Sequence, residues 1–292
     1  MTEQPDSLKL DHLIDLALAE DIGPGDITTE AIVSAEARAC ARFVAHEEGV
    51  ISGMIIIEPL FRKLDPTARH HFFAKDGDRV VPDQELGWVT GHARALLSGE
   101  RIALNFLQRL SGIATYARKC VDALGESTVR ILDTRKTLPG WRQLEKYAAR
   151  CGGVKNHRMG LYDMVLIKEN HLEISHKNLR ETIQAARADA PAGVMIEVEV
   201  HDLDHALDAV EAGADVIMLD NMSREETQRG ARIIREAAAR LGHGVIIETS
   251  GGIELATLHQ YGDLDIDWIS LGAITHSAPA LDISLDIEAL DA

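Results

Sequence analysis

Hydrophobic positions change rhythm near residue 129. Before it, residues 8–19 show helical spacing, with Leu10, Leu13, Ile14, Leu16 and Leu18 read as one apolar face of an opening helix. Gly23, Pro24 and Gly25 then force an irregular turn, where Asp21 and Asp26 suit caps and turn positions. From residue 37 to about 88, short strands surround one helix. Ala39, Ala41, Phe43 and Ala45 alternate with polar residues, residues 54–64 read as a helix carrying Pro59, and 70–73 and 86–89 read as further strands. A long helix follows at about 98–124, with an apolar face running from Ile102 to Ile113. Gly112 inside it marks close packing or a break, because glycine is a poor helix-interior residue.

After residue 129, β-rich runs at 129–132, 164–167, 194–200, 216–219, 245–247 and 268–271 alternate with helices at 141–151, 177–188, 203–212, 224–241 and 255–261. Such alternation predicts a parallel sheet covered by helices. Six strands are two fewer than a closed eight-stranded barrel needs. The fold class is therefore α/β, an open (incomplete) β/α barrel preceded by an α+β N-terminal domain. No early strand leads into G-x-G-x-x-G, which argues against a dinucleotide fold.

The residues after each strand carry the chemistry. Asp133, Arg135 and Lys136 follow the first strand, and Lys168, Glu169, Asn170 and His171 follow the second. Glu197 and Glu199 lie inside the third, on one face of an otherwise apolar strand. Asp220 and Asn221 come next, then Ser250, Gly251 and Gly252, and finally Leu271, Gly272 and Ala273. In β/α barrels the active site forms at the carboxyl ends of the strands, so this succession predicts one site there.

Charge sharpens that picture. The chain has a formal net charge of −17, yet residues 130–168 hold nine basic side chains against three acidic ones. Arg142, Lys146 and Arg150 follow one another at a spacing of four and read as a solvated helix face. Arg135, Lys136, Arg158 and Lys168 do not fit that pattern and fall in turns or at strand ends. Clustered cations repel unless an anion binds among them. The acidic balance argues against nucleic acid or an anionic membrane as partner. No stretch approaches the roughly 20 apolar residues of a membrane-spanning helix. The start lacks a secretory signal pattern, and Cys40, Cys120 and Cys151 are too scattered for a disulfide framework or a zinc site. A cytoplasmic location is expected.

Arg forks at 135 and 158 suit carboxylates, whereas Lys136 and Lys168 act as point charges. His157 beside Arg158 is a candidate cation or donor. Glu197 and Asp220 could hold Mg²⁺ through hard oxygen ligands, or the strand carboxylates could form a buried salt bridge with Lys168 or Arg158. The Ser250–Gly251–Gly252 turn, read as opening a helix, and Leu271–Gly272–Ala273 suit phosphate. Arg101 is read in the first turn of the long helix, where it opposes the dipole and could pair with Glu100 or Glu85. Together these groups imply an acidic small molecule and a phosphorylated one.

The motifs D-T-R-K-T-L-P-G at 133–140, G-G-x-x-N-H-R at 152–158, I-K-E-N-H at 167–171, E-V-E-V, L-D-N, S-G-G and L-G-A-x-T-H-S resemble those of the quinolinate phosphoribosyltransferase family. The likeness extends to E-D-I-G-x-G-D-x-T-T near the start and to the long helix. It implies that quinolinate and 5-phosphoribosyl 1-diphosphate give nicotinate mononucleotide, pyrophosphate and CO₂, with Mg²⁺. It implies an N-terminal α/β sandwich domain over 1–112 joined by the tail 276–292, and a barrel over 113–275. It further implies a homodimer with shared sites, leaving higher oligomers open, in which Arg101 is donated to the partner's site. On that likeness Arg101, Arg135, His157, Arg158 and Lys168 hold quinolinate. Thr134, Lys136, Ser250, Gly251, Gly252, Leu271, Gly272 and Ala273 hold the phosphoribosyl donor. Lys136, Lys168, Glu197 and Asp220 are catalytic, the last two through the metal, with the choice between Glu197 and Glu199 as its ligand left open. The alternatives are a paralogue acting on another acidic ring, a Schiff-base lyase using Lys168, and a non-catalytic phosphometabolite binder.

Overall fold

The computed structural model describes residues 5 and 7–290. The chain divides into two compact units, one of residues 1–118, 137–153 and 274–292 and the other of 119–136 and 154–273.

The first unit opens with α1 (Ser7–Asp21) and α2 (Ile27–Ile32). Asp26 caps α2 by accepting from the Thr29 amide, as its position in the turn predicts. The expected opening face needs one correction. Ile14 is buried but Leu16 is exposed, because at about 100° per residue Leu16 falls on the far side of the helix from Leu10 and Ile14. Strands β1 (Arg38–Ala45) and β2 (Gly49–Val50) precede α3 (Met54–Leu64), whose bounds match the expectation and which accommodates Pro59. Strands β3 (Arg69–Phe72), β4 (Arg79–Val80) and β5 (Gln84–His92) lead into α4 (Ala93–Leu124). Ala39, Ala41, Phe43 and Ala45 of β1 are all buried and Arg42 and Val44 partly exposed, but Cys40 is buried too, so the alternation holds only from Ala41 onward.

Helix α4 begins five residues earlier than its apolar pattern predicts and continues unbroken through Gly112. A methyl group there would collide with the carbonyl oxygen of Pro279, so this glycine serves close packing and not a break. The earlier start also moves Arg101 out of the first turn, and the dipole argument for it falls away.

The second unit carries six parallel strands in the order β6-β11-β10-β9-β8-β7. In chain order these and the helices between them are β6 (Arg130–Leu132), α5 (Arg142–Cys151), β7 (Val165–Ile167), α6 (Glu169–Ser175), α7 (Leu179–Asp189) and β8 (Ile196–Val200). Then come α8 (Leu203–Glu211), β9 (Val216–Asp220), α9 (Arg224–Leu241), β10 (Ile246–Ser250) and β11 (Trp268–Ser270). Val198, Ile217, Leu219, Ile247 and Ile269 are fully buried between sheet and helices. Strands β6 and β7 remain as edges, as an open barrel requires. The helix expected at 255–261 is reduced to one 3₁₀ turn at Leu258–Tyr261, and α6 has no counterpart in the sequence reading.

Helix α5 follows β6 in sequence but packs into the first unit. Glu145 is fully buried, accepts from the Arg109 guanidinium at 2.7 and 3.1 Å, and accepts from the Leu138 amide at 3.1 Å. Trp141 stacks on Phe106 with ring centroids 4.7 Å apart. Lys146 is fully buried, so the row Arg142, Lys146, Arg150 is not a solvated face. The chain closes with α10 (Ala273–His276) and β12 (Ile283–Ala289). β12 adds to β1 antiparallel, Phe43 opposite Leu285, giving a four-stranded sheet in the order β12-β1-β5-β3.

Candidate active site

The site is built at the carboxyl ends of the six strands. Residues 154–156 run alongside β6, with the Lys155 amide donating to Ile131 O at 2.9 Å and the Asp133 amide to Lys155 O at 3.1 Å. This pairing brings Asn156, His157 and Arg158 to the end of the strand. The buried carboxylate of Asp133 holds them there, accepting from the His157 amide at 2.9 Å and from the Asn156 side chain. Arg158 donates to Met164 O at 3.2 Å, just before β7.

A cavity of about 420 Å³ opens between these strand ends. Thr134, Arg135, Lys136, His157, Arg158, Lys168, Asp220, Ser250, Gly251 and Gly252 line it, together with Glu199. Four of the expected cations therefore converge on one mouth. Arg158 titrates below the usual range for a guanidinium, first through burial and then through the neighbouring charge of Arg135. The Lys168 ammonium is ion-paired with Glu199.

Glu197 and Glu199 share a face of β8 but not a depth. Strand β8 pairs with β9 so that Glu199 lies opposite Met218 and Glu197 opposite Val216, two positions further from Asp220. Glu199, His201 and Asp220 consequently form one oxygen-rich group at the mouth. Asp220 is raised by burial and by the Glu199 charge. The sequence leaves open which of Glu197 and Glu199 would serve a metal, and it is Glu199 that stands beside Asp220. Hard carboxylate oxygens, partly exposed and close together, fit Mg²⁺.

Glu197 instead belongs to a buried group beneath the mouth. His157 Nε2 lies 3.1 Å from Glu197 and 3.5 Å from Glu248, and both carboxylates are fully buried. The Arg158 amide nitrogen lies 2.8 Å from His157 Nδ1, and Nε2 faces the two acids. His157, Glu197 and Glu248 thus form a buried charged group. Burial and Glu248 push Glu197 up to about 7. Burial opposes the charged form of His157, but the two carboxylates outweigh it and raise its pKa to about 10. His157 also lines the mouth beside Arg158.

Gly251 and Gly252 adopt φ of +88° and +66°, the left-handed region that glycine enters without a Cβ penalty. The Asn221 amide donates to Ser250 O at 2.8 Å and pins the turn. A side chain on Gly251 would run into the Asn221 carboxamide. No helix starts here, so the turn offers a ligand its own amides and not a helix terminus. Leu271, Gly272 and Ala273 follow β11, with Leu271 buried and its amide bonded to Leu132 O at 2.9 Å. They are not among the lining residues of the mouth. Arg101 is exposed on α4 in the first unit and is likewise not among them.

His201 and Glu248 are the residues that sequence reasoning missed. Glu248 carried the same signal as Glu197, a carboxylate within an apolar strand. His201 carried none.

Comparison with known proteins agrees with this architecture. Residues 26–111 match the quinolinate phosphoribosyl transferase N-terminal domain and residues 113–286 its C-terminal domain. The chain is 42% identical to a Bacillus subtilis protein described as a probable nicotinate-nucleotide pyrophosphorylase [carboxylating], over 96% of this chain and 94% of that one. It is 38% identical to quinolinate phosphoribosyltransferase [decarboxylating] 1b of Nicotiana tabacum, over 96% of this chain and 82% of the relative. The crystal structure of NadC from Streptococcus pyogenes superposes with a TM-score of 0.92 at 38% identity, over 99% of this chain and all of that one. A two-domain α/β protein with a cationic site at the mouth of an open barrel is thereby defined. The chain belongs to the quinolinate phosphoribosyltransferase family.

Proposed function

We propose that this chain transfers the phosphoribosyl group of 5-phosphoribosyl 1-diphosphate to quinolinate with loss of CO₂, giving nicotinate mononucleotide and pyrophosphate. The observation that carries this reading is the convergence of Arg135, Lys136, Arg158 and Lys168 with the Ser250–Gly252 turn on one cavity. The two carboxylates of the acceptor match the guanidinium forks, and the phosphates of the donor match the lysines and the turn amides.

In the reaction the ring nitrogen forms a bond to C1 of the ribose as the bond from C1 to the diphosphate oxygen breaks. The ring nitrogen becomes cationic. The adjacent carboxylate then leaves as CO₂, its electron pair staying on the ring carbon until a solvent proton replaces it. Arg135, Arg158 and Lys168 would hold both acceptor carboxylates before that step, and their charge would favour the carbanionic density after it. Lys136 and the turn would hold the donor in line with the ring nitrogen. Mg²⁺ would be held by Asp220 and Glu199, and when bound it neutralises the departing diphosphate. No covalent link to the protein is needed, which sets aside the Schiff-base alternative for the ion-paired Lys168.

A homodimer with Arg101 donated in trans completes the proposal. Its support is the exposure of Leu161, Tyr162 and Ile174 in the unit that carries the mouth, apolar side chains that a partner would cover. Among the described residues no helix is long and apolar enough to cross a membrane, which accords with a cytoplasmic location. The test is an assay with quinolinate, 5-phosphoribosyl 1-diphosphate and Mg²⁺. Nicotinate mononucleotide and CO₂ should appear in equal amounts. Mononucleotide without CO₂ would point to a paralogue acting on another acidic ring, and binding of both ligands without product would point to a non-catalytic binder.

A further inference from the structure

His201 follows directly on β8, and the alternation of the strand carries it to the face that holds Glu199. Its Nε2 lies 3.8 Å from Glu199 Oε1 and 4.0 Å from Glu169 Oε2, and its Nδ1 lies 3.8 Å from Asp220 Oδ2. One edge of the ring therefore faces three carboxylates. These distances are too long for hydrogen bonds, so none of the contacts ties up a ring nitrogen. The side chain is 43% exposed and has room to turn. Glu199 is more constrained, with Oε2 given to the Lys168 ammonium and Oε1 left toward His201. Three carboxylates thus meet one ammonium, and the surplus of negative charge favours a divalent cation. Glu199, His201 and Asp220 each bring one ligand atom, all within 4.8 Å of one another. Metal bonds of about 2.0–2.2 Å require these atoms to draw closer, which rotation of the exposed ring supplies.

Two carboxylates alone suit Mg²⁺, which keeps oxygen ligands and water. An imidazole nitrogen changes that preference, because it suits the first-row transition ions far better. We propose that His201 is the third ligand of this centre and makes it a mixed nitrogen–oxygen site that takes a first-row transition ion more tightly than Mg²⁺. The neutral ring has a single nitrogen lone pair, and it is this pair that the ion would take. The carboxylates of Glu199 and Asp220 supply the charge, and His201 supplies the selectivity.

The inference rests on the phosphoribosyl-transfer reading only for what the ion does in turnover. The experiment uses Mn²⁺, Co²⁺ and Mg²⁺ as probes on the full chain without substrates. Pulsed EPR of the wild-type protein with bound Mn²⁺ should show coupling to a nitrogen nucleus, and His201→Asn should abolish it. Calorimetry should give tighter binding of Co²⁺ than of Mg²⁺ to the wild type. In His201→Asn the Co²⁺ affinity should fall at least about tenfold and the Mg²⁺ affinity by less than about threefold, since only Co²⁺ gains from the nitrogen. Mn²⁺ without nitrogen coupling in the wild type, coupling that survives in His201→Asn, or equal losses for Co²⁺ and Mg²⁺ would each overturn the proposal. Should His201→Asn fail to fold, His201→Gln takes its place. If neither variant folds, His201 is a structural residue and the proposal is wrong. Nitrogen coupling in a protein that forms no mononucleotide would instead sink the functional reading and leave the metal site standing, which keeps the two failures distinct.

Discussion

The ammonium of Lys168, at the end of β7, donates to the carboxylate of Glu199 on the neighbouring strand β8. This pair joins the cations that line the mouth to the Glu199–His201–Asp220 group, which is separate from the group of Glu197 and Glu248.

That division predicts which glutamate the metal needs. Glu199→Gln should raise the Mg²⁺ concentration for half-maximal activity about tenfold, since it removes a charged ligand of a hard cation. Glu197→Gln should leave the Mg²⁺ requirement nearly unchanged while altering acceptor binding. A magnesium titration of both variants decides, and the reverse pattern would restore the pairing of Glu197 with Asp220.

The Ser250–Gly251–Gly252 turn should tolerate no side chain at its centre. Gly251→Ala introduces strain at φ +88° and a clash with Asn221. The expected result is a loss of donor affinity of at least about tenfold with quinolinate binding kept, on the reasoning that a misplaced backbone forfeits its amide contacts. Calorimetry with each ligand separately measures it.

Much of this architecture was legible in the sequence. Helix α9 has the ends expected from the alternation, and in the structure a capping box of Ser223 and Glu226 and the left-handed Gly242 set them. Helix α3 was equally plain. Helix α6 was missed because its seven residues have no apolar period and none is buried. The same limit explains the two glutamates of β8. Alternation along a strand says which face a side chain occupies, but depth within a barrel depends on the register of the neighbouring strand, here β9, which no local pattern carries. Helix α5 was placed in the barrel by its position in the alternation. The buried contacts of Glu145 with Arg109 and Leu138 are between residues distant in sequence, and they tie it to the other unit.

Those contacts carry a stability prediction. Glu145→Ala leaves the Arg109 guanidinium without its buried carboxylate and the Leu138 amide without an acceptor. A loss of about 3–5 kcal/mol in unfolding free energy is expected for breaking a buried pair. Urea denaturation checks it, and a change below about 1 kcal/mol would mean that solvent replaces the pair without penalty.

Alkaline pH should loosen the barrel. His157 is held at about 10, above its ordinary 6.5, so its contribution is complete below pH 6.5 and is lost as pH rises through about 10. Glu197, raised to about 7 from 4.5, acts in the same direction, since the folded state holds its proton over that interval. The melting temperature should therefore fall between pH 7 and pH 10, and fall less in His157→Gln. Identical slopes in the two proteins would contradict the triad.

Exchange of subunits tests the role of Arg101. Arg101→Ala and Lys168→Ala should each be inactive alone, whereas a mixture allowed to exchange should recover up to about a quarter of wild-type activity if each mixed dimer has one intact site and half the dimers are mixed. No recovery would remove Arg101 from the shared site.

The most direct measurement is a crystal structure of the protein with quinolinate bound. The account predicts both carboxylates within hydrogen-bonding distance of Arg135, Arg158 and Lys168, with the ring nitrogen turned toward the Asp220 and Ser250–Gly252 side of the cavity. Quinolinate bound anywhere else, or bound at the mouth with Arg158 turned away from it, would contradict the account.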